Sequence, residues 1–236
     1  MAGILFIISA PSGSGKSTLV NELRSNVRDL EFSVSYTTRA PRGSEQDGLA
    51  YHFIDRSRFE QMIADDELLE HAEVFGNYYG TGRGPLRQAF AEGKDMLLDI
   101  DVQGAIQVRE KAPEAVTIFV MPPTPDILRR RLSNRSRAEG NVDETVIERR
   151  LAGAKREIEN YSGYKYVLVN DELNRAVEEL TAIVKSERYQ REGRAEPGKA
   201  SEGVTRVMKL AEGCRQHLGD ARLAAALHAF DVTPTR

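Results

Sequence analysis

Ile4-Leu5-Phe6-Ile7-Ile8 is an unbroken apolar run, the pattern of a strand buried on both faces of a parallel sheet. A Gly/Ser-rich turn follows, and from near Lys16 the residues Leu19, Val20 and Leu23 recur at helical spacing. The alternation recurs down the chain. Met96-Leu97-Leu98-Asp99-Ile100 leads into a helical stretch carrying Ile106 and Val108, and Val116-Thr117-Ile118-Phe119-Val120 ends at Pro122-Pro123. Tyr166-Val167-Leu168-Val169 precedes a long amphipathic pattern through Leu173, Val177, Leu180 and Val184. Strands alternating with helices predict an α/β fold with a parallel sheet flanked by helices.

Two stretches break this alternation. From 35 to 84 the chain is polar and rich in Gly, Arg and Tyr, with a strand-like Ala50-Tyr51-His52-Phe53-Ile54 and a helix around Phe59, Met62 and Ile63, as expected of a small inserted lobe. From 126 to 163 it is helical, crowded with arginines and interrupted by a loop at Ala138-Glu139-Gly140-Asn141, which suits a lid. The sheet-forming core is then expected from 1–34, 85–125 and 164–190. A tail, 191–236, opens with a Gly/Pro/Ser-containing linker. It resumes helical spacing at Val204, Val207, Met208 and Ala211, breaks at Gly219-Asp220, and continues through Leu223, Leu227 and Phe230.

Composition narrows the classes. A chain of 236 residues, 40% hydrophobic and 29% charged, is ordinary globular material with room for one core and small lobes. A net charge of -3 argues against a general nucleic-acid binder. The single cysteine, Cys214, allows no internal disulfide and reads as a small buried apolar residue. The histidines His52, His71, His217 and His228 lack paired metal-ligand spacing, so no protein-ligated zinc site is expected. The apolar start is too short to span a bilayer and lacks the flanks of an export signal, which leads to the expectation of a cytoplasmic protein without membrane contact.

The strongest chemical signal lies between the first strand and the first helix. Ala10-Pro11-Ser12-Gly13-Ser14-Gly15-Lys16-Ser17-Thr18 follows the phosphate-loop pattern, with Ala10 in place of its first glycine. Gly13 and Gly15 let the backbone curl so that its N–H groups point at phosphate oxygens, and the helix adds the positive end of its dipole. Lys16 supplies a point charge to the β- and γ-phosphates of a nucleotide, and the Ser17 hydroxyl can ligate the Mg²⁺ that accompanies them. The loop by itself indicates only that a nucleotide binds.

The acceptor is indicated by a set of motifs in order: Phe32-Ser33-Val34-Ser35-Tyr36-Thr37-Thr38-Arg39-Ala40-Pro41-Arg42, Glu45 to Gly48, Leu69-Glu70-His71-Ala72, and Gly76-Asn77-Tyr78-Tyr79-Gly80-Thr81. Leu98-Asp99-Ile100-Asp101-Val102-Gln103-Gly104 and Val169-Asn170-Asp171-Glu172 complete it. With these motifs the chain resembles the guanylate kinase family, bacterial type, from about Gly3 to about Gln190. The resemblance implies a catalytic domain over 1–190, with 35–84 as the GMP-binding lobe, and leaves the tail without a role. It further implies transfer of the γ-phosphate of MgATP to GMP, and to dGMP, in purine nucleotide metabolism.

By the same resemblance, Arg39, Arg42, Tyr51 and Tyr79 hold the GMP phosphate, while Ser35, Glu70, Thr81 and Asp101 read the guanine. The residue chemistry agrees. Two arginines offer forked donors to a doubly charged phosphate. Carboxylates at Glu70 and Asp101 suit the N1–H and amine of guanine, and a hydroxyl from Ser35 or Thr81 suits O6. Adenine would leave such groups unpaired. Glu45 either orients an arginine or lies near the metal, and Asp99 steadies either Mg²⁺-bound water or an arginine. Arg135 and Arg150 match the family's lid positions, with Arg137 as the alternative to Arg135. Asn170 resembles the adenine-side contact, or equally caps the helix starting near Asp171. Lys16, Arg39, Arg135 and Arg150 are thus the expected catalytic set. ATP and GMP are the expected partners of a monomer or small homo-oligomer. A non-catalytic interaction module would not need Lys16 and Ser17, and a sugar-phosphate kinase would not need the guanine-reading set.

Overall fold

The four continuous apolar runs each form a strand. In the computed structural model, which describes residues 3–74, 76–138, 143–196, 198, 200–216 and 220–233, they become β1 (Leu5–Ser9), β7 (Asp95–Asp99), β8 (Val116–Met121) and β9 (Tyr166–Val169). With β2 (Leu30–Ser33) they make a five-stranded sheet in the order β2-β7-β1-β8-β9, in which the pairs β2–β7 and β8–β9 are parallel. Phe6, Ile7, Ile8, Leu97, Leu98, Ile118, Phe119 and Val120 are wholly buried, as a sheet covered on both faces demands. The α/β class expected from the alternation is what the structure shows.

The chain divides into two units. One comprises residues 1–7 and 29–116. Beside β2 and β7 it holds a separate four-stranded sheet in the order β4-β3-β6-β5, from β3 (Tyr36–Thr37), β4 (His52–Phe53), β5 (Leu68–Val74) and β6 (Asn77–Gly82). The strand-like stretch from Ala50 to Ile54 thus shrinks to two residues, because Tyr51 bridges instead to Asp47 in the preceding turn. On this sheet lies α2 (Arg56–Ala64), whose N-cap Asp55 accepts from the Arg58 N–H at 2.7 Å. Phe59, Met62 and Leu68 form the core of this lobe, with Tyr36, Ile54, Ile63 and Tyr78 packed around it. The unit is completed by α3 (Arg83–Ala91) and α4 (Val102–Lys111).

The other unit comprises residues 8–28 and 117–236. It contains α1 (Lys16–Asn26), α5 (Pro125–Ala138), α6 (Glu144–Ile158) and α7 (Leu173–Arg191). The tail contributes α8 (Glu202–Glu212) and α9 (Ala221–Ala229), in register with the helical spacing of the sequence. Arg129 of α5 reaches Glu144 at 2.6 Å and also pairs with Glu148, joining the two arginine-rich helices. Of the loop expected at 138–141, residues 139–141 lie outside the described residues, as do His217 and the Gly219 of the expected break. Cys214 is buried, and burial pushes its thiol up to about 12. Among the described residues no helix is long and apolar enough to cross a membrane.

Candidate active site

The phosphate loop turns on two left-handed glycines. Gly13 has φ 89° and Gly15 φ 87°, a region that L side chains avoid. A Cβ on Gly15 would also stand 2.5 Å from Asn170 Nδ2. Ala10 is not among the described non-glycine residues with positive φ, which are Asp29, Asp66 and Asp231. Alanine therefore fits the first loop position. Gly15 is the N-cap of α1 and no side-chain oxygen caps that helix, so the start of α1 is chemically suited to an external anion. Lys16 and Ser17 stand in its first turn.

Asn170 and an arginine absent from the expected set hold this loop. Asn170 is buried, and its Nδ2 donates to the Ser14 carbonyl at 2.7 Å. Arg131 of α5 donates to the same carbonyl at 3.1 Å and to the Asn170 carbonyl at 3.0 Å. Burial and the neighbouring Arg130 lower the pKa of Arg131 from its usual value. The helix-cap alternative for Asn170 does not hold. α7 starts at Leu173 behind Glu172, with no side-chain cap, because the Asn170 amide satisfies a loop carbonyl instead. Arg135 and Arg137 are exposed on α5, and Arg150 is half-buried on α6. Arg150 Nη1 is a buried atom with no hydrogen-bond partner among the described residues. Arg131 sits one helical turn before Arg135 on α5.

In the other unit, β5 and β6 place Glu70 directly opposite Thr81. Thr81 Oγ1 donates to Glu70 Oε1 at 2.6 Å, and Glu70 is only 3% exposed. Asp101 caps α4, its Oδ1 accepting from the Gly104 N–H at 2.8 Å. A Cβ on Gly104 would fall 2.5 Å from Glu70 Oε2 and 3.4 Å from Asp101 Oδ1, so glycine is what lets the two carboxylates share one place. Burial above all pushes the Glu70 carboxyl up, to about 7; the Thr81 bond opposes it, the charge of Asp101 adds to it, and Lys111 opposes it. Helix α4 also grips β5 on either side of Glu70. Gln107 Nε2 donates to the His71 carbonyl at 2.7 Å and its Oε1 accepts from the His71 N–H at 3.3 Å, while Lys111 Nζ donates to the Leu69 carbonyl at 2.7 Å.

A second cluster in the same unit centres on Arg39, which is 9% exposed. Its Nη2 donates to Glu45 Oε1 at 3.0 Å, and its Nη1 lies 3.0 Å from Glu45 Oε2. The guanidinium stands 5.4 Å from the centre of the Tyr51 ring, and the Tyr51 and Tyr79 rings meet edge-on at 5.9 Å. Burial works to lower the pKa of Arg39, but its bonds to Glu45 and Tyr79 prevail and raise it, so it is permanently charged. Glu45 Oε2 also accepts from the Arg42 N–H at 2.8 Å, which leaves the exposed Arg42 side chain at the rim. Glu45 thus pairs with Arg39 through both carboxylate oxygens. Ser35 is half-buried, with its carbonyl accepting from the His52 N–H at 2.9 Å, and Asp99 ends β7 half-buried.

By position in the chain the expected residues fall in both units. Ser35, Arg39, Arg42, Glu45, Tyr51, Glu70, Tyr79, Thr81, Asp99 and Asp101 belong to one, and Ala10 to Thr18, Arg135, Arg150 and Asn170 to the other.

The family model described as guanylate kinase matches residues 3–187. A guanylate kinase of Koribacter versatilis is 52% identical over 230 residues, 98% of this chain and 97% of that protein. One of Alkalilimnicola ehrlichii is 47% identical over 84% of this chain and 95% of its own. Among solved structures, a guanylate kinase from Anaplasma phagocytophilum superposes with a TM-score of 0.66 at 33% identity, covering 85% of this chain and 98% of that one.

Proposed function

The chain belongs to the guanylate kinase family, the ATP:GMP phosphotransferases, and from that premise we propose how its residues divide the reaction. The phosphate loop, Ala10 to Thr18, binds the ATP phosphates, with Lys16 on the outer ones and Asn170 on the adenine side. Arg39, Arg42, Tyr51 and Tyr79 hold the phosphate of GMP, or of dGMP. Glu45 keeps Arg39 aimed, and Glu70 and Asp101 accept the N1–H and amine of guanine.

Thr81 spends its hydroxyl proton on Glu70, at 2.6 Å, so Ser35 is the better donor for guanine O6, and Thr81 serves to orient the carboxylate. This pairing carries the reading: a carboxylate 3% exposed, set beside a second one, is suited to a ligand that brings its own donors.

The donor set fits Mg²⁺. A hard cation takes oxygen ligands and is commonly held by one or two protein oxygens plus substrate phosphates. Ser17, in the first turn after the loop, supplies such an oxygen, and Asp99 lies at a strand end where it can order metal-bound water. Ser17 would hold Mg²⁺ together with the ATP phosphates, and the ion would supply charge neutralisation at the transferring phosphoryl group.

The nucleophile is an oxygen of the GMP phosphate. With a second pKa of about 6 it is largely ionised near neutral pH, so no general base is required. The barrier lies in bringing two highly charged phosphates in line without water, which makes positioning and charge neutralisation the main contributions. Lys16 and Arg39 supply fixed charge, and Arg135 and Arg150 supply more from the lid. Residues 35–84 act as the acceptor lobe and 126–163 as the lid of a domain spanning 1–190, working in the cytoplasm on purine nucleotides.

Release of ADP from MgATP with and without GMP tests the reading. A rate that depends strongly on GMP is expected, because closure over both substrates excludes water. Equal rates in both conditions would refute it.

A further inference from the structure

The tail, 191–236, has no part in the reaction as divided above, yet it is joined to the strand that leads to Asn170. β9 is the edge strand of its sheet. The chain after α8 pairs with it: the Val167 N–H donates to the Cys214 carbonyl at 2.9 Å, the Gln216 N–H donates to the Lys165 carbonyl at 3.4 Å, and Tyr166 and Arg215 form an antiparallel bridge. This occupies backbone groups that an edge would leave open. The Arg215 guanidinium also lies 4.6 Å from the centre of the Tyr166 ring, whose hydroxyl donates to Glu187 Oε1 at 2.5 Å.

A second tie meets the end of β9. Arg222 of α9 donates through Nη2 to Glu179 Oε1 at 2.5 Å and through Nε to Asp220 Oδ2 at 2.8 Å. Its Nη1 lies 3.9 Å from Asp171 Oδ1. Glu179 is 3% exposed, so the arginine is anchored by a buried carboxylate. Asp171 follows Asn170 directly and is bound as well to Arg175 and to the Glu172 N–H, the latter at 2.8 Å. The short connection from β9 to α7 is thus tied by the Asn170 bond to the Ser14 carbonyl and lies within ion-pair range of Arg222, whose Nη1 makes no hydrogen bond among the described residues.

We propose that Arg222 is a positioning residue for the ATP side of the site, its charge holding Asp171 so that Asn170 stays set against the phosphate loop. The inference rests on the reading above that the loop and Asn170 serve ATP. It gives the tail a function: α9 braces the donor pocket from outside the kinase core.

The experiment compares wild type with Glu179→Gln, with the double variant Arg222→Gln/Glu179→Gln, and with Asp171→Asn. Calorimetric Kd for MgADP and KM for ATP and GMP are measured on each. Removing Glu179 together with Arg222 avoids stranding a buried charge. Coupling through a packed network of this kind is worth about three- to tenfold. The double variant and Asp171→Asn are expected to weaken MgADP and raise KM for ATP by that factor, with KM for GMP unchanged and Glu179→Gln within about twofold of wild type. MgADP affinity unchanged in the double variant, or KM for both substrates rising alike, would overturn the proposal. Should the double variant not fold, Arg222→Lys, which keeps the charge beside Glu179 but shortens the reach to Asp171, decides on the same criteria, because Asp171→Asn also severs the pair with Arg175. Wild type that fails to bind MgADP would instead overturn the assignment of the loop itself.

Discussion

Replacing Glu70 by glutamine is expected to make the folded protein more stable at pH 8 while removing its acceptor for guanine. Glu70 is 3% exposed and its carboxyl is pushed from 4.5 to about 7. At 1.36 kcal/mol per pH unit, holding it ionised opposes folding by about 3 kcal/mol. The sign follows from proton binding. The folded protein holds this proton more tightly than the unfolded chain, so the penalty is absent below about pH 4.5, grows between 4.5 and 7, and is complete above 7. In the variant, the amide oxygen still accepts from Thr81 and the amide nitrogen meets Asp101 with a donor in place of a like charge. Urea unfolding at pH 8 and pH 5 is the assay, with KM for GMP measured alongside. A gain of about 1–3 kcal/mol at pH 8, less than half of it at pH 5, and a rise of at least about a hundredfold in KM are expected. Destabilisation at pH 8, or an equal gain at both pH values, would refute the assignment of a strained, ionised carboxylate.

Two further outcomes follow from the geometry. Gly15→Ala forces a left-handed φ on alanine and drives its Cβ to within 2.5 Å of Asn170 Nδ2; MgADP binding by calorimetry should fall at least about a hundredfold, with a loss of about 1–3 kcal/mol in stability. Gln107→Ala releases α4 from His71, and steady-state kinetics should show KM for GMP rising about three- to tenfold while KM for ATP stays put.

The sequence carries the α/β frame because the strands of its buried core are continuous apolar runs. Leu5 to Ile8, Met96 to Leu98, Val116 to Val120 and Tyr166 to Val169 all lie in strands of the five-stranded sheet. The strand β2 was not legible: Leu30–Ser33 is half exposed and its pattern resembles a loop. Nor were β5 and β6, for a physical reason. Glu70 and Thr81 occupy buried positions that a structural strand would give to apolar residues, so the chemistry of the site erases the periodicity that would announce the strand. Residue types and motif order name the candidate site residues, and the structure shows the pairing of Glu70 with Thr81 and of Arg39 with Glu45. What they could not show were the supports. Gln107, Lys111, Arg131 and Arg222 act on carbonyls or carboxylates up to 117 residues away, and only the fold brings those partners together.

The central claim is that buried carboxylates choose guanine as the base of the acceptor. ADP release with MgATP and, separately, GMP, dGMP, AMP, CMP and UMP tests it most directly. Turnover confined to GMP and dGMP, exceeding AMP by roughly 10⁴ in kcat/KM, is the predicted result. Comparable turnover with AMP or a pyrimidine monophosphate would contradict it.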